Sequence, residues 1–371
     1  MPDENGPACT LDAGSAQSPI GIRETRHRPP PKGAGDGVFR GFHQLDFEHS
    51  LDAPRRSGTD IVVRMSFWIG LLLVAAPTWL YALLVRRIDR YEHEPMRYLI
   101  AAFLWGAVPA VLLGVFVEIV LSVPVNGLLG AETGAAEFMN TAVFAPVVEE
   151  LLKGAAVAAF YLWRRREFDG WIDGIVYGST VGFGFAFVEN LAYLAGTGTV
   201  EEWWTLYFLR VLVFGFMHGF WTSLTGIGFG LARHRGSAAV RGAVIVAGLV
   251  LAIVGHMVHN GSMVLAQTSE GATLFLAGLN YAVLLALMIG LSVIGGWRER
   301  ALMRAYLQDE TPDVLMPDVL DVLVAARGRV ALSRKFVQAA CELALAKRRA
   351  AGADEIERLR EKVRGSHPST A

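Results

Sequence analysis

The chain has 371 residues, of which 53% are hydrophobic and 19% charged, and its formal net charge is −1. A mean hydropathy of +0.38 is typical of a membrane protein rather than of a soluble multidomain chain. The near-zero charge, with basic residues in short clusters between apolar runs, argues against nucleic-acid binding. Cys9 and Cys341 lie in opposite tails, so neither a disulfide framework nor a cysteine metal site is available.

The N-terminal tail, residues 1–64, contains no long apolar run. Its stretch RPPPKGAGDG at 28–37 is rich in Pro and Gly with mixed charge, which predicts disorder. The tail does not begin with a secretory signal, because the first apolar run starts near Met65 rather than within the first 15 to 30 or so residues. That internal methionine is also a candidate natural start.

Seven apolar segments follow, each near the roughly 20 residues that a membrane-spanning helix needs. The predicted spans are residues 65–85, 98–122, 141–163, 173–196, 205–231, 241–266 and 272–296. The predicted fold class is therefore all-α, a polytopic helical bundle embedded in the lipid bilayer over residues 65–296.

Arginine residues predict the orientation of the bundle. They occur in the first, third and fifth connections and at the start of the C-terminal region, whereas the second, fourth and sixth connections have neither Lys nor Arg. By the positive-inside rule the C-terminus faces the cytoplasm and the N-terminus lies outside, although Arg55, Arg56 and Arg64 oppose this assignment. Residues 297–371 combine helical apolar spacing with charged runs, which predicts a small cytoplasmic helical region without assigned chemistry.

The third predicted span contains three charged residues, Glu149, Glu150 and Lys153. A charge near the middle of a span costs at least about 2.5 kcal/mol on insertion scales. Lys153 lies four residues after Glu149 and three after Glu150, so it can reach either carboxylate on one helical face. One acid is left over, and two adjacent acids cannot both ionise cheaply in a low dielectric, which suits them to general acid–base catalysis.

Three further spans carry polar residues at corresponding depths, roughly 10 to 20 Å below the outer surface at 1.5 Å of rise per residue. We therefore expect one polar, water-accessible cavity that opens toward the outer face. Arg210 lies near the outer end of its span, where extension to the headgroups is favoured over pairing with a glutamate. The other polar residues are Glu189 and Asn190 on the fourth span, His218 on the fifth, and His256, His259 and Asn260 on the sixth.

A cavity of carboxylates, imidazoles, an amide and a lysine has the groups that hydrolysis requires. A glutamate can take a proton from water and return it to a leaving amine, while His or Asn stabilises the oxyanion. A divalent metal such as zinc would instead have Glu150, Glu189, His218 and His256 as candidate ligands. No HExxH motif is present, so metal-assisted and metal-free glutamate mechanisms both remain open.

Four motifs together resemble those of the PrsW family of intramembrane proteases, which is similar in turn to the CAAX-prenyl-protease-like and Abi group. They are EELLK at 149–153, FAFVENLAY at 185–193, HGFWTSLTGIGFG at 218–230 and HMVHN at 256–260. The resemblance covers about residues 65–296 and leaves out both tails. It implies an intramembrane endopeptidase of the bacterial plasma membrane, often described as a metalloprotease, in a family whose members include activators that cleave membrane-anchored anti-sigma factors on the outer side.

The resemblance also implies residue roles. Asn260 matches a position that holds Asp or Asn, whereas His259 has no counterpart and its role stays open. The residues that match catalytic motif positions are Glu149, Glu150, Lys153, Glu189, Asn190, His218 and His256.

Two other functions compete with the protease. A proton- or ion-coupled transporter would use the same residues as a relay, although no inverted repeat is recognisable. A haem protein ligated by His218 and His256 would leave the acids of the third and fourth spans unexplained.

Overall fold

The computed structural model describes residues 59–88, 94–164, 168, 170–233, 235–265, 270–325, 332–348 and 350–366. In this part of the chain the regular secondary structure is entirely helical, which confirms the predicted all-α class. Residues 1–58 of the predicted disordered tail lie outside the described residues. The first described helix begins at Thr59, before the predicted boundary at 65.

Seven long helices in the described part correspond to the seven predicted spans. They are α1 (Thr59–Arg86), α2 (Met96–Leu129), α3 (Ala145–Trp163), α4 (Trp171–Ala195), α5 (Val200–Ala232), α6 (Ala238–Leu265) and α7 (Glu270–Leu307). Six of them are long and apolar enough to cross a membrane by length and composition. The exception is α3, because its three charged side chains make it too polar by that measure, and its crossing stays a prediction.

Three segments beside the polar residues are wound more widely than an α-helix. Gly106–Ala110 within α2, Phe138–Phe144 before α3 and Tyr207–Val213 within α5 are π-helical. Such turns are rare and occur frequently at functional sites. In addition, α5 is interrupted at 214–216 and resumes as Met217–Ala232, so that His218 lies in the first turn of the new helix. The sequence analysis predicted none of these irregularities.

The helices α4 and α5 form the buried centre of the bundle, and glycines allow their backbones to touch. A β-carbon at Gly182 would lie 2.2 Å from the carbonyl oxygen of His218. Gly174 and Gly226 face each other, and a β-carbon on either would come within 2.1 Å of the other's carbonyl oxygen. Small residues permit this approach in membrane bundles, as the glycine-rich sequence of both spans predicts.

The C-terminal region is helical, as predicted. It comprises α8 (Pro317–Val324), α9 (Arg334–Arg348) and α10 (Ala353–Gly365), which pack around the end of α7. Its apolar core includes Leu307, Phe336 and Leu343, each almost completely buried. Its position on the cytoplasmic side stays a prediction.

Candidate active site

The three charged residues of α3 form one buried ionic group. Lys153 Nζ lies 2.7 Å from Glu150 Oε1 and 3.1 Å from Glu149 Oε2. The side chains of Lys153 and Glu150 have no solvent exposure, and that of Glu149 is 8% exposed. The helical spacing thus predicted the contacts correctly. The lysine contacts both acids, however, rather than neutralising one and leaving the other without a cation.

The two acids differ in how their oxygens are used. Glu150 Oε1 lies 3.2 Å from His256 Nδ1, and Glu150 Oε2 accepts a hydrogen bond of 3.0 Å from the Thr222 hydroxyl. Both oxygens of Glu150 are therefore held. Glu149 directs Oε2 at Lys153, whereas its Oε1 accepts no hydrogen bond from the described residues. Glu149 is consequently the acid with an oxygen available to water or substrate.

Two imidazoles from different helices complete the group. His218 Nδ1 lies 3.2 Å from Lys153 Nζ, and His218 Nε2 lies 2.8 Å from Glu189 Oε2. Since the ammonium can only donate, we assign the ring proton of His218 to Nε2, the nitrogen that faces the Glu189 carboxylate. The ring of His256 is 5.0 Å from that of His218, and its Nε2 lies 4.0 Å from Glu149 Oε2.

These side chains fit a divalent metal. Glu149, His218 and His256 each offer one ligand atom, and the three atoms lie within 4.8 Å of one another. Two histidines and one glutamate are a donor set of catalytic zinc sites. Each imidazole also has a carboxylate on its other nitrogen, Glu189 for His218 and Glu150 for His256, as ligating histidines usually do. The structure groups Glu149 with the histidines, whereas the predicted ligands Glu150 and Glu189 lie behind them.

Arg210 belongs to the same network. Its Nη2 lies 2.8 Å from Glu189 Oε1, its Nε donates to Asn190 Oδ1 over 3.2 Å, and its guanidinium lies 3.7 Å from the centre of the Tyr193 ring. The expectation that Arg210 extends to the headgroups is wrong. A carboxylate inside an apolar bundle requires a cation, and Arg210 supplies it to Glu189.

His259 and Asn260 lie beside this network rather than in it. Asn260 Nδ2 donates to the backbone carbonyl of Thr141, in the π-helical segment that leads to α3, over 3.0 Å. The His259 ring contacts the rings of Trp221 and Phe214, and its Nδ1 is buried without a hydrogen-bond partner among the described residues. Through this hydrogen bond Asn260 connects α6 to the segment that precedes α3, the helix that carries the two acids.

Three side chains near the site were missed by sequence reasoning. Thr222 and Trp221 follow His218 at helical spacing, so their position on its face could have been foreseen; Trp221 stacks on His256 with ring centres 4.0 Å apart. The third is Glu118 on α2, an acid within the apolar run VFVEIVL of the second predicted span. Its presence inside a span was a signal in itself.

Comparison with known proteins places these residues in a family. Residues 94–291 match the family model described as PrsW family intramembrane metalloprotease. Protease PrsW of Geobacillus kaustophilus is 32% identical over 145 residues, which cover 39% of this chain and 58% of that protein. Protease PrsW of Bacillus subtilis is 29% identical over 151 residues, 41% of this chain and 63% of that protein. The chain thus spans less than two thirds of either relative. No solved structure matches the chain.

Proposed function

The chain belongs to the PrsW family of intramembrane metalloproteases, and on this premise we propose that it is an integral membrane endopeptidase. The proposed substrate is a membrane-anchored protein, such as an anti-sigma factor, cleaved near the outer side of the membrane. The observation that supports this proposal most directly concerns Glu149. Its Oε1 accepts no hydrogen bond from the described residues, and its carboxylate faces two imidazoles. Family membership favours this function over the transporter and haem alternatives.

In the proposed mechanism Glu149 is the general base. Its free Oε1 takes a proton from the attacking water and returns the proton to the leaving amine. Glu150 is a positioning residue, because both its oxygens are held by Lys153, His256 and Thr222. The two neighbouring acids thereby have different roles.

The hydrogen bonds of the group also bear on oxyanion stabilisation. The Lys153 ammonium has three hydrogens and lies within 3.2 Å of three acceptors, one atom each of Glu149, Glu150 and His218. The His218 nitrogen to which we assign the ring proton, Nε2, lies 2.8 Å from Glu189 Oε2. Within the described residues, the lysine and this imidazole are thus already committed as donors, and a developing oxyanion would need another positive group.

We therefore include in the proposal a divalent cation such as zinc, held by Glu149, His218 and His256. When bound, such an ion would polarise the peptide carbonyl and lower the pKa of a bound water. Lys153 would compete with the ion, because its ammonium already contacts Glu149 and His218. Glu189 and Glu150 would keep the two imidazoles in the required tautomers.

The orientation remains part of the proposal, with the N-terminus outside and the C-terminus in the cytoplasm. It is supported by the arginines of the odd connections. In this orientation the loop 130–133 and the start of α5 face the exterior.

Cleavage of single-span test proteins by the purified protein in liposomes tests the proposal, with zinc content measured on the same samples. Glu149→Gln should lower the cleavage rate about 10²- to 10⁴-fold, the usual contribution of a general base, and should also lower the zinc content, because Glu149 is a proposed ligand. Glu150→Gln should lower both the rate and the zinc content, because His256 loses its carboxylate. The matched control is Thr225→Val, a change of a buried hydroxyl that has no partner among the described residues. Full activity in Glu149→Gln would refute the assignment of the general base.

A further inference from the structure

Glu118 is an acid without a counter-ion inside an apolar helix. It is half-buried, and neither a hydrogen bond nor an ion pair joins its carboxylate to any residue in the described ranges. Its neighbours Phe116 and Ile119 on α2 are 65% and 61% exposed, as residues that face lipid are. An ionised side chain inside a membrane-spanning helix costs free energy unless something compensates it, at least about 2.5 kcal/mol at the bilayer centre. A cation that pairs with the ionised carboxylate of Glu118 is therefore not found among the described residues.

The carboxylate of Glu118 lies at the edge of the candidate active site. A β-carbon at Gly114, one turn earlier, would lie 3.8 Å from both Glu118 Oε1 and Leu152 Cδ1. Leu152 directly precedes Lys153 on α3. The charge of Glu118 also interacts with those of Glu149, Glu189 and Lys153. Glu118 therefore lies beside the contact between α2 and α3.

The network has more acids than cations. With neutral imidazoles, four carboxylates face two permanent cations among the described residues. Three of the acids have their own partners, Lys153 for Glu149 and Glu150 and Arg210 for Glu189. Glu118 is the fourth, and charges attract strongly in this low dielectric. It is also absent from the group of side chains that could hold a metal within the described residues.

We propose that Glu118 is a specificity-determining residue that binds a basic side chain, Lys or Arg, of the substrate segment near the scissile bond. A carboxylate only accepts hydrogen bonds and these side chains only donate them. A basic side chain that enters the bilayer also costs free energy, so an ion pair with Glu118 would compensate the cost of both charges. Entry between α2 and α3 would bring the segment past Glu118 before it reaches Glu149. This inference rests on the proposed peptidase function and names a substrate feature for it.

The test compares two single-span substrates that differ at one position. After the cleaved bond has been mapped, Lys or Met is placed in turn at each of the neighbouring positions, and kcat/KM is measured for each pair in liposomes. For the native chain, Lys should be preferred over Met at least about tenfold at one position, mainly through KM, which corresponds to about 1.4 kcal/mol. In Glu118→Gln the ratio should fall toward one, and in Glu118→Lys a Glu at that position should be preferred. The matched control is Glu132→Gln, an exposed acid in the loop after α2, which should keep the native ratio.

Because the readout is a ratio within each variant, a general loss of activity does not affect it. If the native chain cleaves none of the substrates, the proposed peptidase function fails and the inference fails with it. If it cleaves Lys and Met substrates equally at every position, or if Glu118→Gln keeps the native ratio, only the role of Glu118 is refuted. A loss of zinc from purified Glu118→Gln would likewise refute it, because Glu118 would then be a metal ligand.

Discussion

Glu149 and Glu150 are neighbours in sequence, but their surroundings differ. Both contact Lys153, but the Thr222 hydroxyl and His256 hold only Glu150. A carboxylate whose two oxygens are both bonded is poorly placed to accept a proton from water. This difference supports Glu149 rather than Glu150 as the proposed general base, a choice that helical spacing leaves open.

Thr222→Val tests whether Glu150 is held in this way. The variant keeps the shape of the side chain but removes a hydrogen bond to a buried charged group, which should cost about 1.5–3 kcal/mol. Thr225→Val is the matched control, since Thr225 lies one turn later on the same helix with a buried hydroxyl that has no partner among the described residues. We expect a lower denaturation midpoint in detergent for the first variant and no loss for the second. Equal midpoints would mean that the bond contributes nothing.

Arg210→Met tests the pairing with Glu189. The change leaves a largely buried carboxylate without its cation, which should destabilise the protein by about 3 kcal/mol. Adding Glu189→Gln to this variant should recover part of the loss, because the uncompensated charge is then removed. Denaturation midpoints of the two single variants and the double variant form the measurement. Additive losses would show that the two side chains are energetically independent.

At the scale of helices, the contact between α4 and α5 fixes the position of His218. In Gly182→Ala the new methyl group would meet the His218 carbonyl oxygen at 2.2 Å, so the helices must separate. Overpacking of this kind costs about 1–3 kcal/mol, and here it also moves a site residue. We expect a loss of both stability and cleavage activity. Gly278→Ala on α7 is the control, because its β-carbon would meet nothing within 4 Å; equal behaviour of the two variants would contradict this account.

The helices and much of the site could be predicted because they depend on local pattern and depth. Helical spacing predicted that Lys153 can reach both acids. The shared depth of the polar residues predicted the grouping that the structure shows for Glu149, Glu189, His218 and His256. The partner of Arg210 could not be predicted, because the energy of that choice depends on a glutamate from another helix. The π-helical segments also depend on tertiary contacts, such as the bond from Asn260 to the Thr141 carbonyl.

The whole molecule joins an apolar bundle with a buried ionic network to a C-terminal region with its own core. The bundle and the C-terminal region both contain buried ion pairs. In the C-terminal region the central acid, Glu310, pairs with two cations. The side chain of Glu310 is 1% exposed, and its carboxylate lies 2.7 Å from Lys347 on α9 and 2.8 Å from Arg360 on α10. One side chain thus links both helices to the chain that follows α7.

This arrangement predicts that the C-terminal region opens in acid. Burial alone would raise the pKa of Glu310, but the hydrogen bonds and charges of Arg360 and Lys347 outweigh it and hold that pKa below its usual value. A lowered pKa in the folded state means that the stabilisation is present above the unfolded value of about 4.3 and is lost as pH falls through the folded value.

In a Cys9→Ser background the buried Cys341 is the remaining thiol, so its reaction with a disulfide reagent that works in acid reports opening. Glu310→Gln should label faster than the parent at pH 7, and the two rates should converge as pH falls through the folded pKa of Glu310. Glu342→Gln, which removes the more exposed ion pair with Lys362, should follow the parent over the same pH range. If the ratio of the parent's labelling rate to that of Glu310→Gln does not change with pH, then Glu310 does not hold the region closed.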